Sequence, residues 1–178
     1  MPILGILASS ITGGLVTDAG AMFPIRSYVV PSGGAASVTF SSIPSTYSHL
    51  QIRGIQKHSG TGAWATIELN GDTTAANYTK HRLYGNGTSA GTEASTASKQ
   101  IFTVYDQWGA TIIDILDYSN TNKYKTVRTL SGFDNNGTNG EVNFDSNLWM
   151  STSAINQVTL YLSNFVQYSS FALYGVKA

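Results

Sequence analysis

The chain is expected to be all-β, a single jelly-roll-like antiparallel sandwich carrying an extended N-terminal arm. Three observations lead there. Apolar residues alternate with period two in run after run, as strands with one buried face require. Clusters of Gly, Pro, Asn, Asp and Ser break those runs at short intervals. No apolar stripe recurs at the 3.6-residue spacing of a helix. At 178 residues the chain is long enough for one domain with a proper core, and two would be cramped.

The elements follow in order. Residues 1–23 open MPILGILASSITGGLV and are expected to form an anchoring or oligomerisation arm, with a buried first strand as the alternative. Its apolar contacts would be Ile3, Leu4, Ile6, Leu7, Ile11, Leu15 and Val16, with Gly13, Gly14 and Gly20 providing a flexible exit. The apolar run at 3–8 is too short to span a bilayer and has no basic lead, so neither membrane insertion nor a secretory signal is expected. The sandwich domain is placed at residues 24–178. Residues 24–30 and 36–40 read as strands around the turn PSGG, and Pro44 lies in a turn where Ile43 and Tyr47 can plug one end of the sandwich. Residues 49–57 alternate Leu50, Ile52 and Gly54 against Gln51, Arg53 and Ile55, and residues 63–69 alternate Ala65, Ile67 and Leu69 against Trp64, Thr66 and Glu68. Asn70-Gly71 is a tight-turn dipeptide. Residues 77–98, poor in apolar side chains, are expected to be a long exposed loop with one extended piece at 80–84. Further strands are expected at 101–105, 111–118, 124–131, 142–148, 155–162 and 169–176, giving about ten. A lipocalin-type barrel is the main competing closure.

Composition narrows the function. Lys and Arg total 10, as do Asp and Glu, so the clustered basic excess that phosphate binding needs is missing and nucleic acid is not an expected partner. The absence of cysteine removes disulfides, thiolate nucleophiles and Cys-ligated zinc. Histidines stand only at 49, 58 and 81, and none is expected to serve a nucleophilic triad. Asp114 and Asp117, at odd spacing on one strand, point to opposite faces and cannot converge as a glycosidase pair. The stretch DNNGTNGE at 134–141 is oxygen-rich but departs from EF-hand spacing, so a wide turn is expected in place of a cation site. No catalytic residue, metal or cofactor is assigned. Trp64, Tyr78, Tyr84 and Trp108 are the candidates for stacking on a sugar ring. The competing role for each is core or subunit interface, where aromatics are enriched.

The polar stretch ILDYSNTNKYKTVR at 115–128 reads as a hairpin turning at 119–122, with Asp117 placed to meet Lys123 or Lys125 across it. Apolar residues on both faces of its first strand (Ile113 and Ile115 against Ile112 and Leu116) point to burial on both sides, one of them against a partner subunit.

Five stretches resemble virion structural proteins of tailed bacteriophages, especially aquatic and cyanobacterial ones. They are MPILGILASS at 1–10, FSSIPSTYSHLQIR at 40–53, LNGD at 69–72, the 115–128 hairpin, and YSSFALYG at 168–175. The resemblance implies a standalone β-sandwich on the virion exterior and brings no catalytic or ligand residues with it. The expected function is a non-enzymatic capsid decoration or cement protein. It would be anchored through its arm to the major capsid protein or another virion protein, and self-associated as a homotrimer. The alternative is a tail-fibre or tail-tip module recognising host surface glycans.

Overall fold

A computed structural model of the chain describes residues 22–137 and 139–177. The arm contacts assigned to Ile3, Leu4, Ile6, Leu7, Ile11, Leu15 and Val16 lie outside the described residues. Among the described residues there are twelve strands and one 3-10 turn, Ala75–Asn77. The strands are β1 (Met22–Val29), β2 (Ala35–Phe40), β3 (His49–Gln56), β4 (Ala63–Leu69), β5 (Tyr78–Gly85), β6 (Ala90–Ser95), β7 (Gln100–Val104), β8 (Gly109–Leu116), β9 (Lys125–Asp134), β10 (Gly140–Trp149), β11 (Val158–Phe165) and β12 (Ser170–Val176). All neighbours pair antiparallel, in an eight-stranded sheet of order β1-β12-β3-β8-β9-β10-β5-β6 and a four-stranded sheet of order β2-β11-β4-β7. The architecture is a sandwich and not a closed barrel.

The core lies between the sheets. Alternation puts Leu50, Ile52, Ile113 and Leu173 inward from the large sheet, against Phe40, Ile67 and Leu160 of the small one, and all are buried. Each contributes roughly 1.5–3 kcal/mol of transfer free energy.

One end of the sandwich is closed by residues from the stretches at 40–53, 115–128 and 168–175. The Tyr118 hydroxyl donates to the Pro44 carbonyl and accepts from the Tyr47 N–H, while the Tyr118 carbonyl accepts from the N–H of Ile155. The Tyr47 ring stacks on Phe23 and lies where a Cβ at position 175 would sit, so only glycine fits there. These stretches therefore hold the fold together.

Two expectations are corrected. Residues 77–98 are not a loop: β5 and β6 form a hairpin at the edge of the large sheet. Its alternation escaped notice because the inward residues include Lys80 and Arg82, where a buried strand face is normally apolar. The strand expected at 111–118 ends two residues early. β8 stops at Leu116, Asp117 takes a left-handed φ of 49°, and the chain turns Tyr118 into the interior.

Candidate functional site

Three of the four aromatic residues proposed for sugar stacking are used internally. Tyr78 is corrected outright. It is 1% exposed, its hydroxyl donates to the Asp72 carbonyl (3.0 Å) and accepts from the Leu69 N–H (3.1 Å), and its ring stacks on Trp149. Burial raises its pKa, the hydrogen bond from Leu69 opposes that rise, and the nearby Asp72 and Glu68 carboxylates add smaller upward contributions. Beside it, burial pushes the Asp72 carboxyl upward, but hydrogen bonds from Trp149, Asn77 and Thr74 together outweigh it and hold the group below its ordinary value. Replacing Tyr78 with Phe should cost about 1–2 kcal/mol, because it leaves the buried Leu69 N–H without its acceptor. The check is a lowered urea midpoint at unchanged m; an unmoved midpoint would mean the hydroxyl contributes nothing.

Trp64 and Tyr84 bracket a buried cation. The Arg82 guanidinium lies 4.6 Å from the Trp64 ring centre and 4.4 Å from that of Tyr84, and Lys80 Nζ lies 4.0 Å from Trp64. Lys80 is fully buried and donates to Glu93 (2.8 Å) and Gln100 Oε1 (2.9 Å). Arg82 donates to Asn143, Glu141 and Thr103, and the Tyr105 hydroxyl donates to the other Glu141 oxygen at 3.0 Å. With two cations already held by two carboxylates, and cations covering the Trp64 and Tyr84 rings, this cluster offers no stacking platform. It pins the β5–β6 hairpin to β4, β7 and β10. Within it Asp145 is fully buried, and neither carboxylate oxygen has a hydrogen-bond partner among the described residues. Burial pushes its carboxyl up to about 7, offset in part by Arg82 and Lys80. Trp108 alone of the four is well exposed, at 46%.

The histidine, serine and carboxylate groups make structural contacts. His58 Nδ1 accepts the Gly60 N–H (3.0 Å), which leaves the ring proton on Nε2, facing Ser163 Oγ at 2.6 Å. A neutral imidazole so placed donates to the serine and cannot take its proton. GTSAG at 87–91 fits the Gly-x-Ser-x-Gly nucleophile pattern, a match the sequence reading passed over. That motif works on a strand-to-helix elbow, whereas Ser89 sits in the β5–β6 turn and donates to Asn86 Oδ1. Asp114 accepts from Gln51 Nε2 at 2.7 Å, and Asp117 pairs with Lys123, which holds its carboxyl below the usual range. In the 134–140 turn Asn136 and Gly137 take positive φ, and Asp134 Oδ1 accepts the Gly137 N–H. No group of three metal-ligating side chains occurs among the described residues.

The feature with most functional content is the outer face of the eight-stranded sheet. On β9, β10 and β5 the binary pattern is inverted. Thr129, Ser131, Asn143, Asp145 and Lys80 are buried, whereas Leu130, Val142, Phe144 and Leu83 point outward. Strand register aligns the outward residues into two adjacent rows. One runs Val29, Ser170, Ile55, Ala110, Gly132, Val142, Gly85, Ala90. The next runs Ser27, Ala172, Arg53, Ile112, Leu130, Phe144, Leu83, Thr92. Across these sixteen positions Arg53 is the one charged residue. Val29, Ile55, Leu83, Leu130, Val142 and Phe144 are each 45% to 60% exposed. The apolar outer residues of β8 therefore join this face, where the sequence placed a partner contact. In the sequence the signal was available as apolar residues out of phase with neighbouring core strands, but it shows only once register is known.

No protein-family model matches this chain, and no curated protein matches it.

Proposed function

We propose that the chain is a non-enzymatic structural protein of a tailed-phage virion, a capsid decoration component that assembles through apolar surface. The observation that carries this is the inverted pattern on β9, β10 and β5. Large apolar side chains face out while polar ones are buried at a cost, an arrangement that benefits a chain with something to cover that face. The phage-like stretches add support through their positions, since those at 40–53, 115–128 and 168–175 meet at one end of the sandwich. So does topology. With the β5–β6 and β9–β10 hairpins set aside, the remaining order β1-β12-β3-β8 over β2-β11-β4-β7 is that of a jelly roll, a fold common in capsid proteins. The apolar stretch at 3–16 would anchor the sandwich to the shell, gaining about 25 cal/mol per Å² of apolar surface buried.

Deleting residues 2–16 should abolish binding to virions while leaving the unfolding transition of the domain unchanged. Full occupancy by the truncated protein would refute the anchor. Quantifying the chain in purified virions separates shell from fibre: a stoichiometry comparable to the major capsid protein is expected, and a minor-component stoichiometry would overturn the decoration role.

A further inference from the structure

We propose that two copies of this chain pair face to face through their eight-stranded sheets, about a two-fold axis running along the strands between β8 and β9. This rests on reading the outer face as an assembly surface; it does not depend on a virion location. It also differs from the trimer expected from shell symmetry.

Size is the first reason. At 4.8 Å between strands and 6.8 Å between successive outward residues, each position covers roughly 33 Å² of sheet, so the two rows cover roughly 500 Å², of which the twelve positions other than Ser27, Arg53, Thr92 and Ser170 make up roughly 400 Å². That is the size of the largest apolar patch of a monomer, a patch that often serves a function. The adjoining row, Pro24, Tyr174, Gln51, Asp114, Arg128, Ser146, His81, Ala94, brings the total to roughly 800 Å², the share each partner contributes to a standard interface.

The second reason is that the face complements itself. The strand order places β8 and β9 in the middle, with four strands on either side of the proposed axis. Rotation about that axis exchanges the two halves. Asp114 on β8 then faces Arg128 on β9 of the second copy, twice over, and Ile112 faces Leu130. An isologous contact requires this kind of exchange, each half presenting what the other accepts. With Lys and Arg equal to Asp and Glu in number, no net charge drives the copies apart. Aligned sheets packed in this way keep the ~10 Å separation of a sandwich core.

The test is the mass of the full chain in solution, by sedimentation equilibrium across micromolar concentrations. Twice 19.0 kDa is expected. Leu130→Glu and Phe144→Glu, at exposed positions, should each weaken pairing by roughly thirtyfold or more with thermal unfolding of the subunit retained. Tyr161→Ser, on the small sheet, should leave it unchanged. Asp114→Arg and Arg128→Asp should each be monomeric alone, yet pair when mixed in equal amounts, because the mixture restores opposite charges at both crossings. A monomeric or trimeric wild type would overturn the proposal, as would a dimer indifferent to Leu130→Glu and Phe144→Glu, or a mixture that stays monomeric. If deleting residues 2–16 turns a monomer into a dimer, the chain's own N-terminal segment covers the face and the proposal is likewise wrong. A dimer that never joins virions would sink the decoration role alone, and a monomer that decorates them would sink only the pairing.

Discussion

Replacing Lys125 with methionine should destabilise the protein by about 3 kcal/mol, whereas the same change two residues earlier, Lys123→Met, should cost under about 0.5 kcal/mol. The side chains are identical and both belong to the polar hairpin, but their surroundings differ. Lys123 is exposed and pairs with the partly exposed Asp117, a contact that water and salt screen. Lys125 is fully buried, and its ammonium donates to three carbonyls, those of Asn120 (2.5 Å), Lys123 (2.9 Å) and Thr152 (3.2 Å). It thereby ties the β8–β9 turn to the segment after β10. Methionine fills the same volume, so no cavity opens, but three carbonyls lose their shared donor. Relief of the ammonium's own desolvation, which pulls its pKa down, offsets part of that loss. For a chain of this size the shift corresponds to a fall in Tm of roughly 6–12 °C, with Lys123→Met as the matched control. Equal effects at the two positions would show that the carbonyl cage has no special weight.

The contrast between these two lysines also marks how far the sequence could be read. Strands whose inner face is apolar were legible: β3 and β4 came out with the correct faces, because Leu50, Ile52, Ala65 and Ile67 keep strict alternation. The β5–β6 hairpin was not legible, and neither was the outer face. There the buried residues include Lys80 and Asn147, held by partners from strands distant in sequence, and Asp145, whose carboxylate oxygens have none. Hydrophobic period reports which residues would gain by burial. It is silent when burial is decided by cross-strand hydrogen bonds and cation–aromatic contacts, as for Arg82 between Trp64 and Tyr84. The same failure affected the aromatic candidates: an isolated Trp or Tyr in a sequence carries no mark of whether a cation of its own chain will cover its ring.

Asp145 is where that polar interior should leave its clearest trace, as a loss of stability on going from pH 4 to pH 8. With the carboxyl raised from 3.8 to about 7 in the folded protein, the sign follows from proton binding. Below about pH 4 the group is protonated folded and unfolded, and costs nothing. Between there and pH 7 the folded state keeps a proton that the unfolded chain releases, so stability falls as pH rises. Above pH 7 both states are ionised and the whole penalty stands, on the order of 4 kcal/mol at 1.36 kcal/mol per pH unit. The penalty is large because both oxygens are buried without a hydrogen bond, and because Lys80 and Arg82 are already neutralised by Glu93 and Glu141, leaving little field to hold a third anion. Asp145→Asn has the shape of the protonated acid and cannot ionise. It should match the wild type at pH 4 and exceed it by a few kcal/mol at pH 8. Subtracting the two unfolding curves cancels every other titrating group, including Asp72 and Asp117, whose lowered values favour the folded state as pH rises. Urea denaturation of both proteins at pH 4, 6 and 8 reads the difference directly. A difference that does not grow with pH would mean that Asp145 is ionised and well solvated in the fold, and an Asn variant less stable at every pH would mean that the carboxylate is a net stabiliser of the cluster.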